Sequence, residues 1–197
     1  TITQPAIYLG WSLGGLVATE MALHYPEKVL GLITVASSPR FLEGESKKEE
    51  GNKDIWSGIK PHVLNAFYKQ LQVDTKKTIS GFLKIQAMGS PHIRQDIKQI
   101  SQLVFQHKMA NKVTLDQSLK LLEVSDYRKR LKDITQPFLR IYGGADSLVP
   151  KGVIEKINQL AEMSDQHVIK QASHAPFISH TDDFQEILSS WLMARVK

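Results

Sequence analysis

Three residues of the sequence are of types that together can activate a nucleophile: Ser12, Asp146 and His174. A serine hydroxyl is a weak nucleophile unless a neighbouring base removes its proton, and that base needs a carboxylate to orient it. Ser12 lies in the string GWSLG, which fits the pattern G-x-S-x-G, while Asp146 lies in GGADSLVP and His174 in ASHAPF. Residues of these types, brought together in space, carry out acyl transfer through attack by the serine oxygen.

Each of the three residues follows a segment with the composition of a buried strand. The predicted strands cover 6–10, 29–36, 137–143 and 167–171. The predicted helices around them cover 14–24, 151–163 and 181–195. Parallel strands joined by helices end at the same edge of a sheet, so we expect Ser12, Asp146 and His174 to meet at that edge.

The string GWSLG predicts a sharp turn between the strand over 6–10 and the helix over 14–24. In such a turn the serine adopts a strained backbone, and the flanking residues Gly10 and Gly14 must be small to avoid a collision. The strain lifts the serine hydroxyl clear of the sheet, and the N–H of Leu13 faces developing negative charge as an oxyanion donor. The alternative interpretation is an ordinary loop of serine and glycine residues.

Asp146 and His174 each have an ordinary structural interpretation as well. Aspartate is favoured in turns and at helix starts, and a loop histidine can hydrogen-bond to water. His180 is a nearby competitor, but it precedes the last helix, and His167 comes too early because it begins the last predicted strand. The order serine, acid, histidine, with each residue after its own strand, favours the catalytic interpretation.

The composition excludes several other classes of chemistry. The 197 residues include no cysteine, so disulfides, thiolate metal sites and a cysteine nucleophile are excluded. No apolar run approaches the ~20 residues of a membrane helix, and neither a phosphate-binding glycine motif nor a metal-ligand histidine spacing occurs. We therefore expect no cofactor and no metal, neither nucleic acid nor a membrane as partner, and a cytoplasmic location.

The middle of the chain differs from both flanks, which gives three predicted parts. Residues 1–42 and 136–197 are the two parts of an α/β core, and residues 43–135 are a charged loop followed by a helical lid. Residues 43–54 have no apolar periodicity, so we predict a mobile loop there. The predicted lid helices cover 61–72, 74–88, 91–107, 114–124 and 126–133.

Basic residues exceed acidic ones between Lys60 and Lys132, in a chain whose formal net charge is +5. Such a surface suits an acidic partner, but a solvated, lysine-rich helical surface is an equally good interpretation of the charge alone. An apolar helical lid over the serine also suits an acyl chain of medium length, because each buried CH₂ contributes ~0.8 kcal/mol.

Several strings along the chain resemble the family of the pimeloyl-[acyl-carrier protein] methyl ester esterases of biotin synthesis. They are GWSLGGLVA, TVASSP, GIKPHVL, FLKIQAMG, RQDIK, PFLRIYGGADSLVP and ASHAPFISH. The resemblance implies an α/β-hydrolase fold, here the C-terminal part of a mostly parallel sheet with an all-helical lid insertion. It also implies a carboxylesterase that hydrolyses pimeloyl-[acyl-carrier protein] methyl ester to pimeloyl-[acyl-carrier protein] and methanol.

The resemblance further implies roles for individual residues. Ser12 is expected to be the nucleophile, His174 the general base and then acid, and Asp146 the orienting carboxylate, with the N–H of Leu13 as one oxyanion donor. The residues expected to line the substrate site are Trp11, Phe82, Leu83, Lys84, Ile85 and Gln86. The expected partner is the acyl-carrier protein, and the candidates for its docking are Lys76, Lys77, Arg94 and Lys98.

The sequence departs from the family in two ways. Residues 43–54 are longer and more charged than expected, and the family's N-terminal strands are missing, together with a His-Gly-Trp turn that supplies a second oxyanion N–H. We therefore expect a piece of a longer enzyme that is a monomer when complete. The isolated chain is expected to be inactive, to aggregate, or to be completed by another chain or segment. The alternatives are another α/β-hydrolase, such as a short-chain carboxylesterase or a carbon–carbon bond hydrolase, and an inactive hydrolase fold that only binds a partner.

Overall fold

The structure, a computed structural model, describes residues 4–47 and 53–195. Its strands are β1 (Ala6–Trp11), β2 (Val29–Val35), β3 (Gly44–Lys47), β4 (Lys53–Trp56), β5 (Phe138–Gly143) and β6 (Asp165–Ile169). Its helices are α1 (Leu13–His24), α2 (Pro61–Val73), α3 (Thr75–Ala87), α4 (Ile93–Phe105), α5 (Lys112–Val124), α6 (Lys151–Leu160), α7 (Pro176–Ser179) and α8 (Thr181–Arg195).

Four strands form one parallel sheet in the order β1-β2-β5-β6. The side chain of Leu32 in β2 packs in one cluster with Leu16 of α1, whereas Leu139 in β5 packs in a second cluster with Phe184 of α8. The sheet therefore has helices on both faces, which is why its strands are continuously apolar in the sequence. The predicted α/β architecture is confirmed.

The last strand lies two residues earlier than predicted, over Asp165–Ile169 rather than 167–171. The carbonyl of Ile169 accepts hydrogen bonds from the N–H groups of Gly144, at 2.8 Å, and Ala172, at 3.1 Å. The chain therefore turns directly after Ile169. The residues that we assigned to the end of the strand form the turn that leads into His174.

We predicted a mobile loop over residues 43–54, and this prediction is wrong for the described part of the segment. Strands β3 and β4 pair there in antiparallel fashion, while residues 48–52 lie outside the described residues. Trp56, at the end of β4, is 4% exposed, and its indole N–H donates to the carbonyl of Arg40 at 2.9 Å. One buried aromatic residue therefore ties the pair to the core, although the segment has little apolar character.

Helices α2 to α5, here called the lid, lie between β4 and β5 in the chain. Within the lid, α2 packs on α3 and α5, and α3 packs on α4. Helix α4 also contacts α7, which begins two residues after His174. The lid is thereby joined to the loop that carries the histidine.

The segment 126–133, predicted as an α-helix, instead contains a 3₁₀ helix over Arg128–Asp133. The N–H of Arg130 donates to the carbonyl of Tyr127, three residues earlier, at 2.9 Å. Leu131 is the buried residue of this helix. A single apolar anchor suits a short, tight turn better than a longer amphipathic helix. Across the described residues, every helix is too short or too polar to cross a membrane.

Candidate active site

The chain bends sharply at Ser12, between the end of β1 and the start of α1. Ser12 has φ 53° and ψ −120°, a conformation that is strained for a residue other than glycine. Its N–H donates to the carbonyl of Val35 at 2.9 Å, and its carbonyl accepts from the Ser37 hydroxyl at 2.8 Å and from the N–H of Gly15 at 2.9 Å. The strained turn is therefore held by hydrogen bonds to Val35 at the end of β2 and to Ser37 just after it.

The two flanking glycines differ in how much the turn needs them. A Cβ atom on Gly10 would lie 2.1 Å from the carbonyl oxygen of Gly14, so only glycine fits at position 10. A Cβ atom on Gly14 would meet nothing within 4 Å among the described residues, so the expectation that Gly14 must be small for the turn is wrong. Among the described residues, the predicted collision therefore occurs at Gly10 only.

Ser12 and His174, 162 residues apart in sequence, lie within hydrogen-bonding distance. The Oγ atom of Ser12 is 2.9 Å from Nε2 of His174. On the other side of the ring, Nδ1 of His174 is 2.8 Å from Oδ2 of Asp146. An ionised carboxylate can only accept, so Nδ1 carries the proton and Nε2 is free to accept the proton of the serine hydroxyl.

Asp146 is held by the loop that follows β5. Its Oδ1 atom accepts hydrogen bonds from the N–H groups of Leu148, at 2.8 Å, and Val149, at 3.1 Å. The residue is 7% exposed and His174 is 1% exposed. Both oxygens of the carboxylate are therefore bonded, and the side chain has one orientation that serves the histidine.

The strand that leads to Asp146 contains a buried guanidinium group. Arg140 is 2% exposed and donates to Ser164 Oγ at 2.8 Å, Asn158 Oδ1 at 2.8 Å and the Tyr142 hydroxyl at 3.3 Å. Burial raises the pKa of Tyr142, which therefore stays a neutral acceptor. These bonds fix β5 against α6 and against the segment before β6.

Trp11, which we expected to line the substrate site, also binds the histidine. Its indole N–H donates to the carbonyl of His174 at 2.8 Å. Its ring packs edge-on against Phe177, with 5.1 Å between centroids, and lies 5.8 Å from the ring of His174. The residue before Ser12 thus connects β1 directly to the loop that carries His174.

The remaining expected substrate residues lie on α3 and face different ways. Leu83 and Gln86 are buried, and Leu83 packs in a cluster with Ala175 of the histidine loop. The ring of Phe82 packs against Phe67 of α2, with centroids 5.2 Å apart. Lys84 and Ile85 lie on the exposed side of the helix.

The four cations that we expected to dock an acidic partner lie on two adjacent lid helices. Lys76 and Lys77 are exposed in the first turn of α3, and Arg94 and Lys98 are exposed on α4. The ammonium group of Lys76 lies 5.9 Å from the centroid of the Phe105 ring. Within the described part of the chain, no salt bridge is formed by any of the four.

Two groups that bind the serine turn and the histidine backbone could not be predicted from the sequence. Ser37 supports the serine turn, yet the string SSP indicated only the end of a strand. The carbonyl of Gln86 accepts from the N–H of His174 at 3.1 Å, and such a backbone contact has no local sequence signal. Among the described residues, no cluster of three histidine, aspartate or glutamate side chains is placed to hold a metal ion.

A strained serine at the carboxyl edge of a parallel sheet, with an aspartate–histidine pair beside it, is the arrangement of the α/β hydrolases. The model of the alpha/beta hydrolase fold family matches residues 1–181. An esterase from Exiguobacterium antarcticum has a similar fold, with a TM-score of 0.78 and 22% identity over 96% of this chain and 67% of that one.

Closer relatives share much more of the sequence. The chain is 49% identical over 187 residues to the pimeloyl-[acyl-carrier protein] methyl ester esterase of Photobacterium profundum, covering 95% of this chain and 70% of the relative. It is 47% identical over 192 residues to the esterase of the same name from Shewanella woodyi, covering 97% and 72%. The chain belongs to the α/β-hydrolase family and, within it, to the pimeloyl-[acyl-carrier protein] methyl ester esterases.

Proposed function

We propose that the protein hydrolyses the methyl ester of pimeloyl-[acyl-carrier protein], releasing methanol and the free acid on its carrier. Ser12 is the nucleophile, His174 the general base and acid, and Asp146 the carboxylate that orients the histidine. The observation that carries the proposal is the unbroken line from Ser12 Oγ to Asp146 Oδ2, with contacts of 2.9 and 2.8 Å. Identity of 44–49% to esterases of that name supports the choice of substrate.

In the first half of the reaction, Ser12 Oγ attacks the ester carbonyl carbon while His174 Nε2 takes the hydroxyl proton. The carbonyl oxygen becomes an oxyanion, and the N–H of Leu13 is positioned to donate to it. Leu13 is the first residue of α1, where N–H groups lack intrahelical acceptors and the helix dipole favours negative charge. The carbon–oxygen bond to the methoxy group then breaks, and His174 gives its proton to the departing methanol.

In the second half, water attacks the acyl-serine ester and His174 Nε2 takes a proton from that water. The bond between the acyl carbon and Ser12 Oγ breaks, and the proton returns to the serine. Asp146 stays ionised throughout and stabilises the imidazolium that forms in each half. His174 and Asp146 therefore have the same roles in both halves of the reaction.

Apolar side chains near the histidine suit an acyl chain. Leu83 of α3, the ring of Trp11 and Phe177 belong to one apolar cluster beside His174. We assign the acyl chain to this cluster. The carrier protein is assigned to the exposed cations of α3 and α4. An acidic surface would be attracted to four basic side chains that form no salt bridge with any other described residue.

The experiment that tests this function measures methanol release from pimeloyl-[acyl-carrier protein] methyl ester by the purified protein. We expect turnover that Ser12→Ala abolishes and that a Ser189→Ala control, changed at an exposed hydroxyl of α8, retains. Turnover that survives Ser12→Ala would contradict the mechanism. A folded chain that binds the substrate without hydrolysing it would support a binding module instead.

A further inference from the structure

The C-terminal end of lid helix α3 shares a hydrogen bond with the loop that carries the histidine. Helix α3 ends at Ala87, and the last carbonyl groups of a helix lack partners within it. The carbonyl of Gln86 accepts from the backbone N–H of His174 at 3.1 Å. Gln86 is 4% exposed and Ala87 is 3% exposed, so little water competes for this bond.

His174 is therefore held by its backbone from two sides. The lid binds its N–H through Gln86, and the nucleophile strand binds its carbonyl through the indole of Trp11 at 2.8 Å. A peptide fixed at both its donor and its acceptor has little freedom to rotate. The position of the imidazole relative to Ser12 thus depends on the lid as well as on the core.

The same end of α3 also lies against the loop that carries the acid. Gly89 has φ +88°, and a Cβ atom there would lie 2.7 Å from the Cβ and 2.8 Å from the carbonyl oxygen of Ala145. Ala145 directly precedes Asp146, and its N–H donates to the carbonyl of Ala172 in the histidine loop at 2.9 Å. Residues 86–89, here called the α3 terminal turn, therefore touch both loops without room for a side chain at Gly89.

We infer that the α3 terminal turn is a positioning element for the acid–histidine pair, so that the lid sets the alignment of the base. This inference rests on the proposed catalytic roles of Ser12, His174 and Asp146. Proton transfer requires the contacts of 2.9 and 2.8 Å around the imidazole to be short and well aligned. A displacement of either loop by the lid lengthens at least one of them.

The test compares Gly89→Ala with a matched control, Gly81→Ala. Both change one glycine of the same segment by the same methyl group, but a Cβ atom on Gly81 would meet none of the described residues within 4 Å. We measure kcat and KM on a p-nitrophenyl ester, and the rate at which a fluorophosphonate labels the protein. Thermal unfolding of each variant reports whether it remains folded.

We expect Gly89→Ala to lower kcat and the labelling rate together by about 10- to 100-fold, the effect of a misplaced catalytic group, with KM within about twofold. Gly81→Ala should keep kcat within about twofold. Adding Ala145→Gly to Gly89→Ala removes the nearest colliding atom and should recover part of kcat. Gly89→Asn, which tolerates positive φ but retains a Cβ atom, is the milder variant if the alanine does not fold.

Three results would overturn the inference. They are an unchanged kcat in a folded Gly89→Ala, an equal loss in Gly81→Ala, and full activity in Gly89→Asn, since the last would assign the effect to backbone strain alone. Labelling and turnover by the unchanged protein are measured first. Their absence would refute the proposed function itself, which keeps that failure distinct from the failure of the positioning role.

Discussion

Replacing Asp146 by asparagine tests the proposed role of this residue in orienting the histidine, because the surrounding backbone donors determine the orientation of the new side chain. Asparagine offers one oxygen and one NH₂ group in place of two oxygens. The Oδ1 position faces two backbone donors, the N–H groups of Leu148 and Val149 at 2.8 and 3.1 Å. An NH₂ group there would oppose both, so the amide oxygen takes that position and the NH₂ group faces His174.

The histidine must then accept at Nδ1, which moves its proton to Nε2. A protonated Nε2 cannot accept the hydroxyl proton of Ser12, although the 2.9 Å contact persists. For this change of tautomer in a comparable triad the loss in kcat is about 10⁴-fold. That corresponds to ~5.4 kcal/mol of transition-state stabilisation, at ~1.36 kcal/mol for each tenfold change in rate.

The assay is steady-state hydrolysis of a p-nitrophenyl ester by Asp146→Asn, with Asp183→Asn in the exposed first turn of α8 as the control. The control should keep kcat within about twofold, because loss of a charge at a helix start costs stability of under ~1 kcal/mol. A folded Asp146→Asn that loses less than tenfold in kcat would refute the argument from tautomers.

Gly10→Ala should disrupt the serine turn and abolish fluorophosphonate labelling, because its Cβ atom would lie 2.1 Å from a backbone oxygen. Gly14→Ala should label normally, and equal labelling of the two variants would contradict this prediction. Arg94→Glu with Lys98→Glu should raise KM for the carrier-linked ester about tenfold and leave a p-nitrophenyl ester unaffected, and equal losses on both would exclude docking there. Burial opposes ionisation of Asp126, but hydrogen bonds from Arg128 lower its pKa overall. The ionised Asp126 therefore stabilises the folded state at pH values above the ordinary pKa of aspartate. This contribution is lost as the pH falls through the lowered pKa. Asp126→Asn should therefore cost up to ~1 kcal/mol of unfolding free energy at pH 7 and less at acid pH, where the carboxylate becomes protonated, measured by urea unfolding; an equal cost at both would contradict the sign.

The α/β architecture could be predicted from the sequence because strands that are buried on both faces are continuously apolar. Three catalytic candidates, each placed after such a strand, could be assigned to one edge of the sheet before any coordinates. Helices α2 and α8 also match their predicted ranges closely, since apolar residues recur at helical spacing.

Other features depend on contacts that leave no local pattern. The β3–β4 pair is anchored by Trp56 on the core, whereas its own residues are mostly polar or charged. The bond from the Trp11 indole to the carbonyl of His174 joins residues 163 apart. The carbonyl of Gln86 belongs to the backbone, so no residue type could reveal that it holds the histidine.

The most direct test of a nucleophilic Ser12 is mass spectrometry of the chain after treatment with a fluorophosphonate. We expect the unchanged protein to form one adduct, on the peptide that contains Ser12. The adduct should be lost in His174→Ala, although the serine is still present. An adduct that forms equally fast without the imidazole, or that lies on another serine of a folded chain, would contradict it.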